Sequence, residues 1–376
     1  MTAPAWLDQR GCSLWNRVEA IVARGVDASI DVRERDGLVL EMMAWQRENC
    51  PPVERALRAM GAPADPRSLD EIAGLPTDAF KTARIASFGR EHETRAFHTS
   101  GTTRDVRGSH PFASLALYDA AAIAAARRWL LTEPPYRFVI LAERETDASN
   151  SSLSYMLARF AERFAETDPG VTAGRIDARD IADPWMIEGG TLAVARLRDA
   201  LSERGEEPIA LLGATWAFVH AIDALGEHFT LPPGSVVMPT GGFKGRSREL
   251  APAELFGSIQ RGFGVARPQI VQEYGMTELS SQAYEAHRDG VPAGRYVAPP
   301  WMIVTAMDPV TLAPLPHGQR GVLRIIDLAN VGSTIAIQTA DLGITFPDGF
   351  EVLGRAPGAT PRGCARALDA LLSGGS

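Results

Sequence analysis

Apolar positions recur every three or four residues over Leu14–Ala23 and Leu38–Cys50, which predicts two amphipathic helices near the start of the chain, the second broken by Pro51-Pro52. The rhythm then changes. Arg95–Thr99 reads as a short strand, Ser114–Leu131 as an Ala-rich helix and Arg137–Ala142 as a second strand, together a βαβ unit with a polar run at its first strand-to-helix turn. A helix follows to about Ala165, with serines at 151–154 suited to capping its start. Thr191–Arg204 and Ala253–Phe263 read as further helices. Pro208–Gly213, Ser235–Met238 and Gln269–Gln272 read as apolar strands. Gly321–Leu328 alternates like a strand of a small β-barrel, and Ala365–Leu372 is a short amphipathic helix.

Composition narrows what such an α/β chain can be. With 376 residues, 45% hydrophobic and 22% charged, it can bury a large core and needs no partner to fold. The net charge of −8 is spread along the chain, which argues against a general nucleic-acid binder. No apolar run approaches the roughly 18 residues that span a bilayer, and residues 1–15 lack a basic end followed by an apolar stretch, so a cytoplasmic protein is expected. Three cysteines, Cys12, Cys50 and Cys364, have unrelated spacings that fit neither a disulfide framework nor a zinc site. Only Lys81 and Lys244 are lysines, so chemistry that needs an ammonium group has two candidates.

Several stretches carry candidate chemistry. Thr99-Ser100-Gly101-Thr102-Thr103 can curl its backbone N–H groups and hydroxyls around an anion, although such clusters are more often plain turns. Gly241 and Gly242 close a strand and let a ring approach the backbone. In Tyr274-Gly275-Met276-Thr277-Glu278 an aromatic ring can cover a base, a hydroxyl can bind phosphate and a carboxylate can hold Mg²⁺. Asp341 stands at a strand end, where an acid can accept ribose hydroxyls. Trp216, Phe218 and His220 either line an apolar substrate pocket or belong to the core.

Taken in order, Thr-Ser-Gly-Thr-Thr (99–103), Thr-Gly-Gly (240–242), Tyr-Gly-Met-Thr-Glu (274–278), Thr-Ala-Asp (339–341) and Gly-Arg (354–355) resemble the adenylate-forming superfamily of acyl-CoA synthetases, adenylation domains and luciferases. Within it, residues 239–250, Ser-Ser-Leu-Ser-Tyr-Met (151–156) and the Gly-Arg to Pro-Arg-Gly-Cys ending (354–364) are similar to the acyl-protein synthetase, LuxE-type branch. The resemblance implies an α/β adenylating domain over residues 1–345, with two α/β sheet subdomains (about 1–135 and 136–290) and a small β-barrel part (291–345). A short tail, 346–376, would carry Cys364.

It also implies roles. Thr99, Ser100, Gly101, Thr102 and Thr103 would hold the phosphates of ATP. Gly241 and Gly242 would flank adenine, Tyr274 would cover it and Thr277 would touch the α-phosphate. Glu278 would bind Mg²⁺, Asp341 the ribose, and Arg355 ribose or phosphate. The implied reaction joins a carboxylic acid, fatty or otherwise acyl, to AMP. The acyl group then passes to Cys364 as a thioester and on to an accepting protein, a reductase or a carrier protein. Arg362 and Arg366 would lower the pKa of the thiol, and the Gly- and Pro-rich run 346–363 would swing it.

The departures are informative. The phosphate loop has Arg104 and Arg107 in place of the usual Gly and Lys, and Ala340 replaces a common Gly. The chain runs only to Ser376, leaving no room for the full C-terminal domain that supplies the superfamily's adenylation lysine. Lys244 is the first substitute for that lysine and Lys81 the second. Two other readings stay open: a ligase that uses an external thiol, CoA or a carrier's phosphopantetheine, and a non-catalytic acyl- or nucleotide-binding subunit.

Overall fold

The computed structural model describes residues 3–99, 106–133, 135–165, 183–203, 205–242, 247–356 and 362–373. Helices α1 (Gln9–Ala23) and α2 (Val32–Asn49) open the chain. The Asp8 carboxylate caps α1 by accepting from Gly11 N and also accepts from Trp45 Nε1 on α2, so one side chain both starts the first helix and ties it to the second. Pro51 and Pro52 end α2 but begin α3 (Pro51–Met60), where prolines in the first turn lose no hydrogen bond. Next come β1 (Leu75–Pro76) and the single turn α4 (Ala79–Thr82).

The stretch from 95 to 131 departs from expectation. It forms β2 (Arg95–His98), β3 (Ser109–Phe112) and α5 (Ala116–Trp129). β2 pairs antiparallel with β3 in a separate two-stranded sheet, so β2 is not the first strand of a βαβ unit with β4. The short Ser-His-Pro-Phe strand, with proline inside it, gave no sequence signal.

Then follow β4 (Arg137–Glu143), α6 (Ser152–Phe164), β5 (Trp185–Glu188), β6 (Thr191–Leu192), α7 (Val194–Ser202), β7 (Ile209–Ala214), α8 (Thr215–Leu225), β8 (Val236–Thr240) and α9 (Pro252–Phe263). Ser151 caps α6 as expected, its hydroxyl accepting from Ser154 N. The chain continues through β9 (Glu273–Tyr274), β10 (Ala283–Glu285), β11 (Arg295–Val297), β12 (Met302–Met307), β13 (Arg320–Asp327), β14 (Ala336–Phe346), β15 (Gly349–Arg355) and α10 (Arg362–Ser373).

These elements make two compact units, each discontinuous in sequence, unlike the consecutive subdivision expected. One comprises Met1–Ala124, Gly275–Ala283 and Gly294–Ser376; the other Ala125–Tyr274 and Tyr284–Ala293. In the second unit the strand order is β6-β5-β4-β7-β8-β9, parallel except at the β6 edge. Its strands β4, β7 and β8 are continuous apolar runs because a parallel sheet is covered on both faces. The C-terminal ends of β7, β8 and β9 carry Thr215, Gly241 and Tyr274, the edge at which open α/β sheets bind ligands.

The first unit holds the sheet β12-β13-β14-β15-β11, antiparallel throughout, with β1 added parallel to β14 at Ile337 and Gln338. Within the tail expected over 346–376, whose run 346–363 was expected to swing, Gly349–Arg355 is a strand of this sheet and Arg362–Ser373 a helix: β15 pairs with β14 and β11, and α10 packs on α3, α4 and β1. The apolar face of α10, with Cys364, Ala367 and Leu371 buried at helical spacing, fixes it there.

Candidate functional site

The turn at Thr277 and Glu278, in the first unit, is held from two sides by buried polar groups. His110 on β3 bonds through Nδ1 to the Thr277 carbonyl at 2.8 Å, which makes Nδ1 the protonated nitrogen, and burial pushes its pKa down to about 4. On the other side Asn330 donates from Nδ2 to the Glu278 carbonyl at 2.8 Å and accepts from the Ser280 hydroxyl. Asp327, fully buried, accepts from the backbone N–H groups of Ser280, Ser281 and Ala329 and from the Ser281 hydroxyl. Gln46 of α2 anchors the outer loop: its amide donates to the carbonyls of Asn330 and Val331 and accepts from Ile335 N. Each member has its partner, so the network fixes the backbone instead of leaving a buried polar group unpaired.

Glu278 itself is buried, and desolvation raises its pKa to about 7. Its own backbone N–H, Arg355 and then Lys81 pull the other way, while Asp78 adds to the rise. Lys81 pairs with Asp78 at 2.8 Å. Arg355 on β15 faces Asp341 on β14 in register, with Nε 3.6 Å from Oδ1. Thr99 stands at the neck of the hydroxyl loop, its backbone N–H donating to the Gly108 carbonyl and its Oγ1 accepting from Gly108 N at 2.8 Å. The first unit therefore gathers Lys81, Asp78, Glu278, Asp341 and Arg355 into one charged cluster. Ser100, Gly101, Thr102 and Thr103 lie outside the described residues, as does Lys244.

Cys364 lies in the same unit, only 2% exposed, in the first turn of α10. Its thiol pKa is pushed up to about 11, by burial first and then by the Asp78 carboxylate. The lowered thiol pKa expected from the sequence is not found; burial and the nearby acid raise it, as for a small apolar side chain at the start of an amphipathic helix.

In the second unit, Thr215 donates to the carbonyls of Thr240 and Gly241, at 3.1 and 2.8 Å, and locks the end of β8. Gly241 takes φ +65°, a conformation that glycine adopts without strain. Gly242 is exposed, and Tyr274 is largely buried. The Thr240 hydroxyl donates to the carboxylate of Glu273, whose pKa burial raises to about 7. The expected pocket trio does not share a surface. Residues 215–225 are helical, so Trp216 and His220 meet one turn apart, with ring centroids at 5.7 Å, while Phe218 is fully buried in the core against Phe263.

Comparison with known proteins places this geometry in a family. The model of the family described as Acyl-protein synthetase, LuxE, matches residues 65–373. The chain belongs to that family. A long-chain-fatty-acid–luciferin-component ligase of Vibrio harveyi is 30% identical over 139 residues, covering 36% of this chain. This stretch is about a third, 34%, of the ligase's own length. Among solved structures, a 2-hydroxyisobutyryl-CoA ligase in the postadenylation state matches with a TM-score of 0.62 and 14% identity, over 90% of this chain and 71% of the other. The same ligase in its thioesterification state gives 0.62 and 15%, over 88% and 70%. These likenesses show that the chain shares the α/β fold of the 2-hydroxyisobutyryl-CoA ligase.

The sequence reading missed His110, Asn330 and Asp78. None sits in a motif. His110 is a buried histidine on an unrecognised strand, Asn330 reads as an ordinary loop residue, and Asp78 reads as part of a surface turn. Among the described residues no cluster of three or more His, Cys, Asp or Glu side chains is placed to hold a metal ion.

Proposed function

We propose that this acyl-protein synthetase family member activates a carboxylic acid with ATP, forming an acyl adenylate and pyrophosphate, and hands the acyl group to a thiol. The observation that carries the reading is the buried Glu278, bracketed by Lys81 and Arg355 in the unit that also holds Asp341 and Thr99. A lone buried acid would be a liability; one flanked by two cations is a place where phosphate charge and a divalent ion can be handled.

Mg²⁺ fits a single-carboxylate donor that leaves its other positions to phosphate oxygens and water, and Glu278 would hold it; when bound, the ion neutralises charge on the phosphates. The chain's own residues then divide the work. Thr99 presents the loop neck and Thr277 its hydroxyl toward the phosphates. Asp341 accepts from the ribose hydroxyls and Arg355 stays in register beside it. The acid's carboxylate oxygen attacks the α-phosphorus, the bond to the β-phosphate oxygen breaks and pyrophosphate leaves. Lys244, following Gly242 in sequence, is one cation for the charge that develops there.

The thiol in the second half-reaction is Cys364: its sulfur attacks the acyl carbonyl, its proton goes to solvent or a carboxylate, and AMP leaves. An acyl-accepting protein would then take the group. The burial of Cys364 favours a second reading, in which an external thiol such as CoA or a carrier protein is the acceptor. Incubation with labelled acid, ATP and Mg²⁺ separates them: label on the wild type but not on Cys364→Ser supports self-acylation, while turnover that requires CoA and survives Cys364→Ser supports the second. Absence of acid-dependent pyrophosphate exchange by the purified chain sinks both.

A further inference from the structure

Lys81 holds a position that its sequence context did not reveal. It lies on α4, and its side chain is 42% exposed, so its ammonium can reach a ligand from solvent. Its stem runs along Gly108, the residue that closes the neck of the hydroxyl loop against Thr99. A β-carbon at Gly108 would stand 3.1 Å from Thr99 Cγ2 and 3.5 Å from Lys81 Cγ, so the bare glycine is what lets stem and neck close together. Its ammonium also lies close enough to Glu278 to favour the charged carboxylate. At rest it pairs with Asp78 at 2.8 Å, a half-exposed contact that costs little to exchange for a more highly charged partner.

We propose that Lys81, standing between the loop neck at Thr99–Gly108 and the acid at Glu278, is the residue that binds the β- and γ-phosphates of ATP in this chain, in place of Lys244. The proposal rests on the adenylating reading above and deepens it. An ammonium is the suitable group: a compact point charge on a flexible stem can swing from the Asp78 carboxylate to phosphate oxygens. Arg355 is less suited to the same task, since its guanidinium faces the Asp341 carboxylate at 3.6 Å and presents a rigid planar fork in place of a compact point charge.

The test measures equilibrium binding of ATP and of AMP, with Mg²⁺, to the full chain and to Lys81→Ala, Lys81→Arg and Lys244→Ala. Loss of a charge-assisted phosphate contact is expected to weaken ATP binding to Lys81→Ala about 10- to 100-fold. AMP, which lacks the outer phosphates, is expected to bind within about 2-fold of wild type, and Lys81→Arg to recover most of the ATP affinity. An unchanged thermal midpoint in Lys81→Ala shows that the half-exposed site folds without its lysine, and Lys81→Gln serves if the alanine variant does not express. ATP affinity retained in Lys81→Ala, or lost only in Lys244→Ala, overturns the proposal, as does a parallel loss of ATP and AMP. A wild-type chain that binds neither nucleotide overturns the adenylating reading itself, a result distinct from each of these.

Discussion

Two buried glutamates five residues apart, Glu273 in one unit and Glu278 in the other, show how similar burial can serve different ends. Both have their pKa raised to about 7 by desolvation. Glu273 is answered by the Thr240 hydroxyl and ties the ends of β8 and β9 together. Glu278 is answered by Arg355 and Lys81, with Asp78 opposing them. A perturbed acid is thus not by itself a mark of chemistry. What distinguishes the second is the company of cations whose side chains are open to solvent, 42% exposed for Lys81 and 84% for Arg355.

The comparison breaks most sharply under isosteric substitution. Glu278→Gln keeps the shape of the turn and is expected to lower acid-dependent pyrophosphate exchange by about 100-fold or more. Glu273→Gln, which preserves the bond from Thr240, is expected to stay within a few-fold. Equal losses in the two variants would show that the cations around Glu278 are structural.

Cys364 offers an intermediate effect. Because burial and Asp78 hold its thiol pKa near 11, alkylation by iodoacetamide at pH 8 is expected to be far slower than for a free thiol. Asp78→Asn removes the lesser of those two causes and is expected to speed alkylation of Cys364 about 2- to 5-fold, read by mass spectrometry of the α10 peptide. No change would separate Cys364 from the charged cluster.

The smallest effect on turnover, though not on stability, concerns pH. Each glutamate keeps its proton in the folded chain up to about pH 7 but loses it near 4.5 when unfolded. The folded state therefore binds more protons across that window, and the stability each contributes is fully present below 4.5 and lost as pH rises through 7. Glu273→Gln should flatten part of this decline in urea midpoints, by up to a few kcal/mol. An unaltered slope would mean that Glu273 titrates normally.

Most helices and the long parallel strands were legible because period and length agree in them; α6 and α9 begin and end within two residues of where the sequence puts them. The hairpin β2–β3 was not, since its strands are four residues long and one contains proline. For Trp216, Phe218 and His220 the sequence left pocket and core both open, because composition does not show which face of α8 each residue takes; Phe218 falls in the core. Ordered motifs singled out Glu278, Asp341 and Arg355 through their resemblance to the adenylate-forming superfamily, and the fold brings the three into one unit. They could not single out Asp78 or His110, which come near Glu278 and Thr277 by chain folding from positions far upstream, and Lys81 was a candidate only because the chain has two lysines. The same holds for the thiol: sequence located Cys364, but its reactivity depends on what α10 packs against.

The Gln46 anchor bears on where the chain can be cut. The family match begins at residue 65, yet Gln46, on a helix before that boundary, supplies the partners of three buried backbone groups in the loop that supports Glu278. The α3 helix on which Cys364 is docked also precedes it. A chain trimmed to the family limits would lose both supports at once, so the first sixty-four residues are scaffold for the site and not an appendage that limited proteolysis could remove without consequence.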